Sequence, residues 1–305
     1  MIKPKILLSK CFSYPVRYNG GIVHDGFVEK LKKFVDYELV CPEIAIGLGV
    51  PRQRLIIQKL DGRKHLYQPE TNKYLTKEIL EWADSFAKSV DTVDGFLLKS
   101  KSPSCGIASA NLYVEGKITG RTDGFFAEAI KEHFSFLPIE HEGRLKNSEL
   151  RDNFLIRVFA FADFRQLKKE GTANDLVKLH TRYKYLLMTY NQKILQELGR
   201  LVADGKLSPK EKIAKYETIF YRAFGKRPSR TRHYNTIQHI FGYFKAELNQ
   251  REKSHFLNLL KEYLGGDLEL RTILEILNSF AFRFDNEYLL NQKYINPFPK
   301  ELTVY

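Results

Sequence analysis

KILLSKC, residues 5–11, and DGFLLKS, residues 94–100, decide the fold of the first half of this 305-residue chain. Each opens on an unbroken apolar run of strand length, the pattern of a strand buried on both faces, as parallel sheets require. Working outward, GFVEKLKKF sets Phe27, Leu31 and Phe34 on one helical face, and YELV (37–40) follows as a second strand. RLIIQKL and HLYQ flank Asp61-Gly62-Arg63-Lys64 as a hairpin, and TKEILEWADSFAKSV reads as a helix. GRTDGFFAEAIKEHF reads as one more helix, and LPIEH as a last strand before a polar break at 142–148. Strands alternating with helices predict an α/β N-terminal domain with a mostly parallel sheet over 1–142.

From 143 to 305 the apolar period becomes helical and stays so, predicting an all-α C-terminal domain. Helices are expected over 151–170, 174–192, 192–205, 208–224, 233–250, 254–264 and 268–284. Ser208-Pro209-Lys210-Glu211 is a capping box with proline at the first helical position, and Gly225 and Gly265-Gly266 stand where C-caps belong.

No run of eighteen apolar residues occurs, and the start MIKPKILLSKCF enters a strand pattern with no cleavage signature behind it, so a cytoplasmic protein with no membrane partner is expected. The net charge of +13 is uneven: residues 1–140 carry 20 Lys and Arg against 17 Asp and Glu, and residues 141–305 carry 29 against 19. A basic second half suits an anionic partner, RNA before a membrane surface; an ordinary solvated basic surface is the alternative.

The three cysteines, Cys11, Cys41 and Cys105, are odd in number and far apart, which argues against a disulfide framework. Reduced thiols can be core residues, ligands or nucleophiles. Cys11 lies two residues past the first strand, Cys41 directly past the second, and Cys105 five residues past Ser100 at the end of the third. Sites in open α/β sheets form outside the carboxyl ends of the strands, so the three thiols are delivered to one edge. The surrounding loops, Asn19-Gly20-Gly21, Cys41-Pro42-Glu43 and Ser102-Pro103-Ser104-Cys105-Gly106, are built of residues that aim amides and thiolates inward. A structural zinc site prefers close cysteine pairs, which are absent, although three cysteines with His24 remain an alternative. Soft thiolates also suit a cubane cluster, normally held by four cysteines; with three, one iron would be open to a substrate atom, and sulfur is the soft atom it prefers.

LLSKCFSYPVRYNGG, VCPEIAIGLGVPR, KSKSPSCG and the segment ending in GFFAEAI together resemble the thiouracil desulfidase family and the related tRNA thiouridine desulfurases over about residues 5–130. LVKLHTRYKYLLMTYNQ, NTIQHIFGYFKAEL and INPFPKEL resemble the YbgA-type helical domain. The first resemblance implies a 4Fe-4S cluster bound by Cys11, Cys41 and Cys105, with one iron not ligated by protein. It further implies replacement of the sulfur of a thiolated pyrimidine by water, with Glu43 as the acid/base carboxylate and Ser102 as the serine beside the cluster. After Cys11 this chain has Phe12-Ser13-Tyr14, where many relatives carry leucine-glycine.

Ser104, Lys99 and Arg52 are further candidates for hydrogen bonds or phosphate contacts. In the helical half, basic residues interleave with aromatics at 180–185 and 226–234, and Arg227, Arg230 and Arg232 are the candidate contacts to tRNA. Two functions from different classes follow: an iron-sulfur desulfidase acting on thiouracil or on thiouridine in RNA, or a non-enzymatic RNA-binding protein with a structural metal site. A cysteine-nucleophile enzyme is a third, and it would not need two further thiols at strand ends.

Overall fold

The structure, a computed structural model, describes residues 2–303. It divides into two compact units: the chain up to Ala162 together with the segment from Glu301, and Asp163–Lys300. In chain order the first unit contains β1 (Lys5–Ser9), α1 (Gly26–Leu31), β2 (Asp36–Val40), the single turn α2 (Pro42–Ala45), β3 (Ile56–Leu60), β4 (Arg63–Gln68) and β5 (Lys73–Tyr74). It continues with α3 (Thr76–Ser89), β6 (Gly95–Leu98), β7 (Ala110–Val114), β8 (Lys117–Thr122), α4 (Phe125–His133) and β9 (Ile139–His141).

β2, β1, β6 and β9, in that order, form a sheet in which every neighbouring pair is parallel. The apolar runs explain the arrangement. Ile6, Leu7 and Leu8 and Phe96, Leu97 and Leu98 are at most 3% exposed, so these central strands are covered on both faces. On one face Leu7, Phe96 and Leu98 pack with Ala83 and Ala87 of α3 and Phe126 and Ile130 of α4. The α/β reading with a parallel sheet is thus what the first unit adopts.

A second sheet, ordered β5-β4-β3-β7-β8, was not anticipated beyond one hairpin. Its pairs are antiparallel except β3 with β7. The β3–β4 turn is shorter than expected: only Asp61 (φ 47°) and Gly62 (φ 79°) turn in the left-handed region, and Arg63 already belongs to β4. Glu115 (φ 49°) and Gly116 (φ 77°) make the equivalent turn between β7 and β8. The expected helix over GRTDGFFAEAIKEHF therefore starts later, at Phe125, because Gly120-Arg121-Thr122 pair with β7.

The remaining helices are α5 (Ser148–Glu170), which contributes to both units, then α6 (Ala173–Ala203), α7 (Pro209–Ala223), α8 (Arg230–Phe241), α9 (Gln250–Gly265), α10 (Leu270–Arg283) and α11 (Glu287–Leu290). Thr172, Ser208 and Asn249 each form a reciprocal capping box, and Gly266 ends α9 at φ 101°. The break expected near residue 192 is a kink inside α6 at Asn191, whose side chain accepts from the Ile194 N–H at 3.2 Å and so re-caps the second segment. The helix expected over 233–250 instead ends at Phe241 and passes through a 3-10 turn at Gly242–Phe244, and the Asn249 cap starts α9. No described helix is long and apolar enough to cross a membrane.

Candidate functional site

β2, β1 and β6 are parallel neighbours, so the three loops that leave their carboxyl ends adjoin. Cys11 sits in a 3-10 turn after β1, Cys41 is the residue on which α2 begins, and Cys105 lies in the loop after β6. All three thiols line one cavity of about 280 Å³, together with Glu43, Arg52, Lys99 and Ser102. β3 and β7 of the second sheet supply a further wall that includes Ile57 and Tyr113. A larger hollow of about 460 Å³ lies at the opposite, amino edge of the parallel sheet beside Ile6 and Tyr37; no thiol reaches it.

The 102–106 loop is tightly built. Ser102 Oγ accepts from the N–H groups of Ser104 and Cys105, both at 3.1 Å, and Ser102 O accepts from Gly106 N–H at 2.9 Å. The carbonyls of Pro103, Ser104 and Gly106 accept from Phe125, Ala127 and Gly124, satisfying amides at the start of α4. This close approach needs glycine twice. A Cβ on Gly106 would stand 2.7 Å from Ser102 O, and one on Gly124 would stand 2.5 Å from the Ser104 carbonyl carbon.

Burial raises the pKa of every thiol. That of Cys11 is pushed up to about 12, chiefly by loss of water, while the Lys99 ammonium pulls it down and Cys41 and Glu142 push it up. Cys41 is raised by burial and Cys105 well above its usual range, opposed by a hydrogen bond from Ser9 and reinforced by Cys11 and Cys41. Three mutually repelling, dehydrated thiols are costly to ionise unless a cationic group binds them together.

Glu43, on the first turn of α2, is held at both oxygens. Oε2 accepts from Arg52 Nε at 2.8 Å and from Arg52 Nη2, and Oε1 accepts from Ser104 Oγ at 3.0 Å with Ser102 Oγ at 3.5 Å. Arg52 Nη1 donates to the carbonyls of Val16 and Gly49 at 3.0 and 3.2 Å. Of the expected site residues, the structure therefore brings Cys11, Cys41, Cys105, Glu43, Ser102, Ser104, Lys99 and Arg52 together. The three hydrogens of the Lys99 ammonium and four of the five on the Arg52 guanidinium are engaged within the chain rather than aimed at a ligand. His24 is exposed and does not line the cavity.

Two residues were missed by sequence reasoning. Ser9 accepts from Lys99 N–H at 2.9 Å and reaches the Cys105 thiol. Glu142, read as part of a polar break, is only 8% exposed and accepts from Lys99 Nζ at 2.5 Å, Ser100 N–H at 2.8 Å and Ser100 Oγ at 2.6 Å. Burial acts to raise its pKa, but the bonds from Lys99 and Ser100 prevail and hold it below the usual carboxylate range. The available signal was position: Glu142 directly follows β9 and so reaches the same sheet edge as the thiols.

The candidate RNA contacts do not gather at this cavity. Arg230 Nη1 donates to the carbonyls of Tyr263 and Leu268, and Arg232 Nη1 to that of Tyr190, so both brace the helical unit; Arg227 is exposed. Among the described residues, no group of three or more His, Cys, Asp or Glu side chains converges as a single-ion metal site.

A parallel α/β sheet with a three-thiol edge, followed by a helical unit, sets the class. Residues 6–142 match the family described as 2-thiouracil desulfurase, and residues 184–299 match a family described as a protein of unknown function, DUF1722. The two matches lie one after the other in this chain, a region similar to 2-thiouracil desulfurase followed by a region similar to DUF1722. It is 26% identical over 164 residues to the uncharacterized protein YbgA of Escherichia coli (strain K12), covering 50% of this chain and 92% of that one. It is also similar to the solved 4Fe-4S-dependent thiouracil desulfidase TudS, at 25% identity and a TM-score of 0.38, over 47% of this chain and 94% of that one.

Proposed function

We propose that the chain is a desulfidase that replaces the thiocarbonyl sulfur of a thiolated pyrimidine by the oxygen of water, releasing sulfide without net redox change. In this reading 1–142 is the catalytic domain and 143–305 the accessory helical domain of a cytoplasmic protein. The observation that carries it is the cavity with three thiols on its wall and a doubly anchored Glu43 beside them. The donor set suits a 4Fe-4S cluster on Cys11, Cys41 and Cys105: the thiols are soft, buried, mutually destabilised as separate thiolates, and too few to occupy four irons. Such a cluster supplies a Lewis acid for sulfur at the iron without a protein ligand.

The chain's own residues do the rest. Arg52 and Ser104 fix the Glu43 carboxylate, which takes a proton from the attacking water or returns one to the ring nitrogen. Ser102, whose oxygen already accepts two backbone N–H groups, has its hydroxyl hydrogen directed elsewhere, with Glu43 Oε1 the nearest named acceptor. Around the cavity Lys10, Arg17, Arg54 and Lys101 make no ion pair among the described residues. That cationic lining favours a phosphate-bearing substrate, and with the basic helical half it supports thiouridine in RNA, tRNA included, over the free base.

The deciding experiment is anaerobic incubation of the reconstituted protein with 2-thiouracil, 4-thiouracil and thiolated tRNA, following sulfide release. Release from at least one substrate, by a brown, iron-loaded protein, is expected. A colourless zinc protein that binds tRNA and releases no sulfide would instead support the non-enzymatic RNA-binding reading.

A further inference from the structure

Lys99 lines the cavity, yet every hydrogen of its ammonium group is already engaged. Nζ donates to Glu142 Oε1 at 2.5 Å, to Ser100 Oγ at 2.9 Å and to Ser100 O at 3.0 Å. Glu142 is locked in turn by Ser100, whose N–H and hydroxyl both donate to it. The lysine and glutamate side chains are 21% and 9% exposed, and the Lys99 backbone N–H is tied to Ser9, the residue that also reaches Cys105. An ammonium with no hydrogen to spare neither binds substrate as a donor nor delivers a proton. It remains a charge, fixed in place by these bonds on the cavity wall that it shares with Cys11.

We propose that the Lys99–Glu142 pair is a positioning device for the cluster: Lys99 holds a permanent positive charge beside the Cys11 ligand and stabilises the more anionic states of the site. The inference rests on the desulfidase reading, because it needs the cluster on the three thiols. Net charge and surrounding dipoles set the reduction potentials of iron-sulfur centres, and residues behind the ligands tune them. A neighbouring cation favours the state with one more negative charge, so it raises the potential. A carboxylate beyond the cation damps that effect.

The pair therefore makes opposite predictions for its two members, which a purely structural role does not. The full-length protein, reconstituted anaerobically, is titrated potentiometrically with the cluster absorbance as readout. K99M should shift the potential downward, E142Q upward, and K99R should stay near the wild type. If K99M takes up no cluster, E142Q and K99R carry the test alone, and an E142Q protein at the wild-type potential overturns the proposal. A common direction of shift in K99M and E142Q, or none in either, overturns it as well. A loaded wild type with unmoved variants removes this inference only, whereas a wild type that takes up no cluster removes the desulfidase reading and this inference with it.

Discussion

Glu43 stands between a cation and two serines, and that environment separates its chemistry from its structure. Glu43→Gln keeps the size and most hydrogen bonds but removes the group that exchanges a proton. The cluster absorbance should persist while sulfide release falls roughly 100- to 10,000-fold, the usual worth of general acid/base help; unchanged release would return Glu43 to an anchor for Arg52. Cys41→Ser tests the other half of the site, since a serine hydroxyl is a poor ligand for iron and the variant should lose both colour and iron. Full iron content in that variant would show that Cys41 is no ligand. The thiols and Glu43 were legible in the sequence because each stands next to a strand or a turn whose pattern is local. Glu142 was not: its burial comes from Lys99 and Ser100, over forty residues earlier, and nothing at 142–148 except polar residues announced it.

At the scale of elements, the site depends on how closely α4 approaches the 102–106 loop. Gly124 has φ −70°, so its need is for space and not for an unusual backbone. Gly124→Ala puts a methyl 2.5 Å from the Ser104 carbonyl carbon and 2.8 Å from Pro103 O, both backbone atoms that cannot swing aside. The variant should lose about 1–3 kcal/mol in a denaturant titration and should bind less iron, because the loop carrying Cys105 must move; wild-type iron content would mean that the loop tolerates the shift. The parallel strands were readable from apolar runs. β7 and β8 were not, since their alternation is weak and β8 is almost wholly exposed, leaving the Glu115-Gly116 turn as the one strong local sign.

For the molecule as a whole, two charges tell different stories. His233, buried against Tyr294 with Nδ1 3.0 Å from the phenol oxygen, has its pKa lowered to about 4 by burial and by Arg230. His180, bonded to Tyr216, is lowered in the same direction by burial. Below about pH 6.5 the unfolded chain therefore takes up a proton that His233 in the folded chain does not. Its contribution is complete above about pH 6.5 and is lost as pH falls toward 4, by about 3 kcal/mol. Thermal melts across that window should show the helical signal weakening, and His233→Gln should flatten the dependence. The excess positive charge predicts steep salt dependence of tRNA binding. Replacing Arg54 and Lys101 by glutamate should weaken binding and reduce the salt slope by about one for each phosphate contact removed; salt-independent binding in the wild type would end the RNA role. The helical unit's existence was plain from its period, whereas the work of Arg230 and Arg232 was not, because the carbonyls they hold are distant in sequence.

The chain leaves its first unit at Ala162 and returns to it at Glu301, where Leu302 has no exposed surface. On the ribosome this imposes an order. The 138 residues of the second unit are synthesised before Leu302, so the loops bearing the cysteines emerge well ahead of it. A chain cut before Glu301 would retain all three thiols and lack a fully buried apolar residue of the unit that carries them.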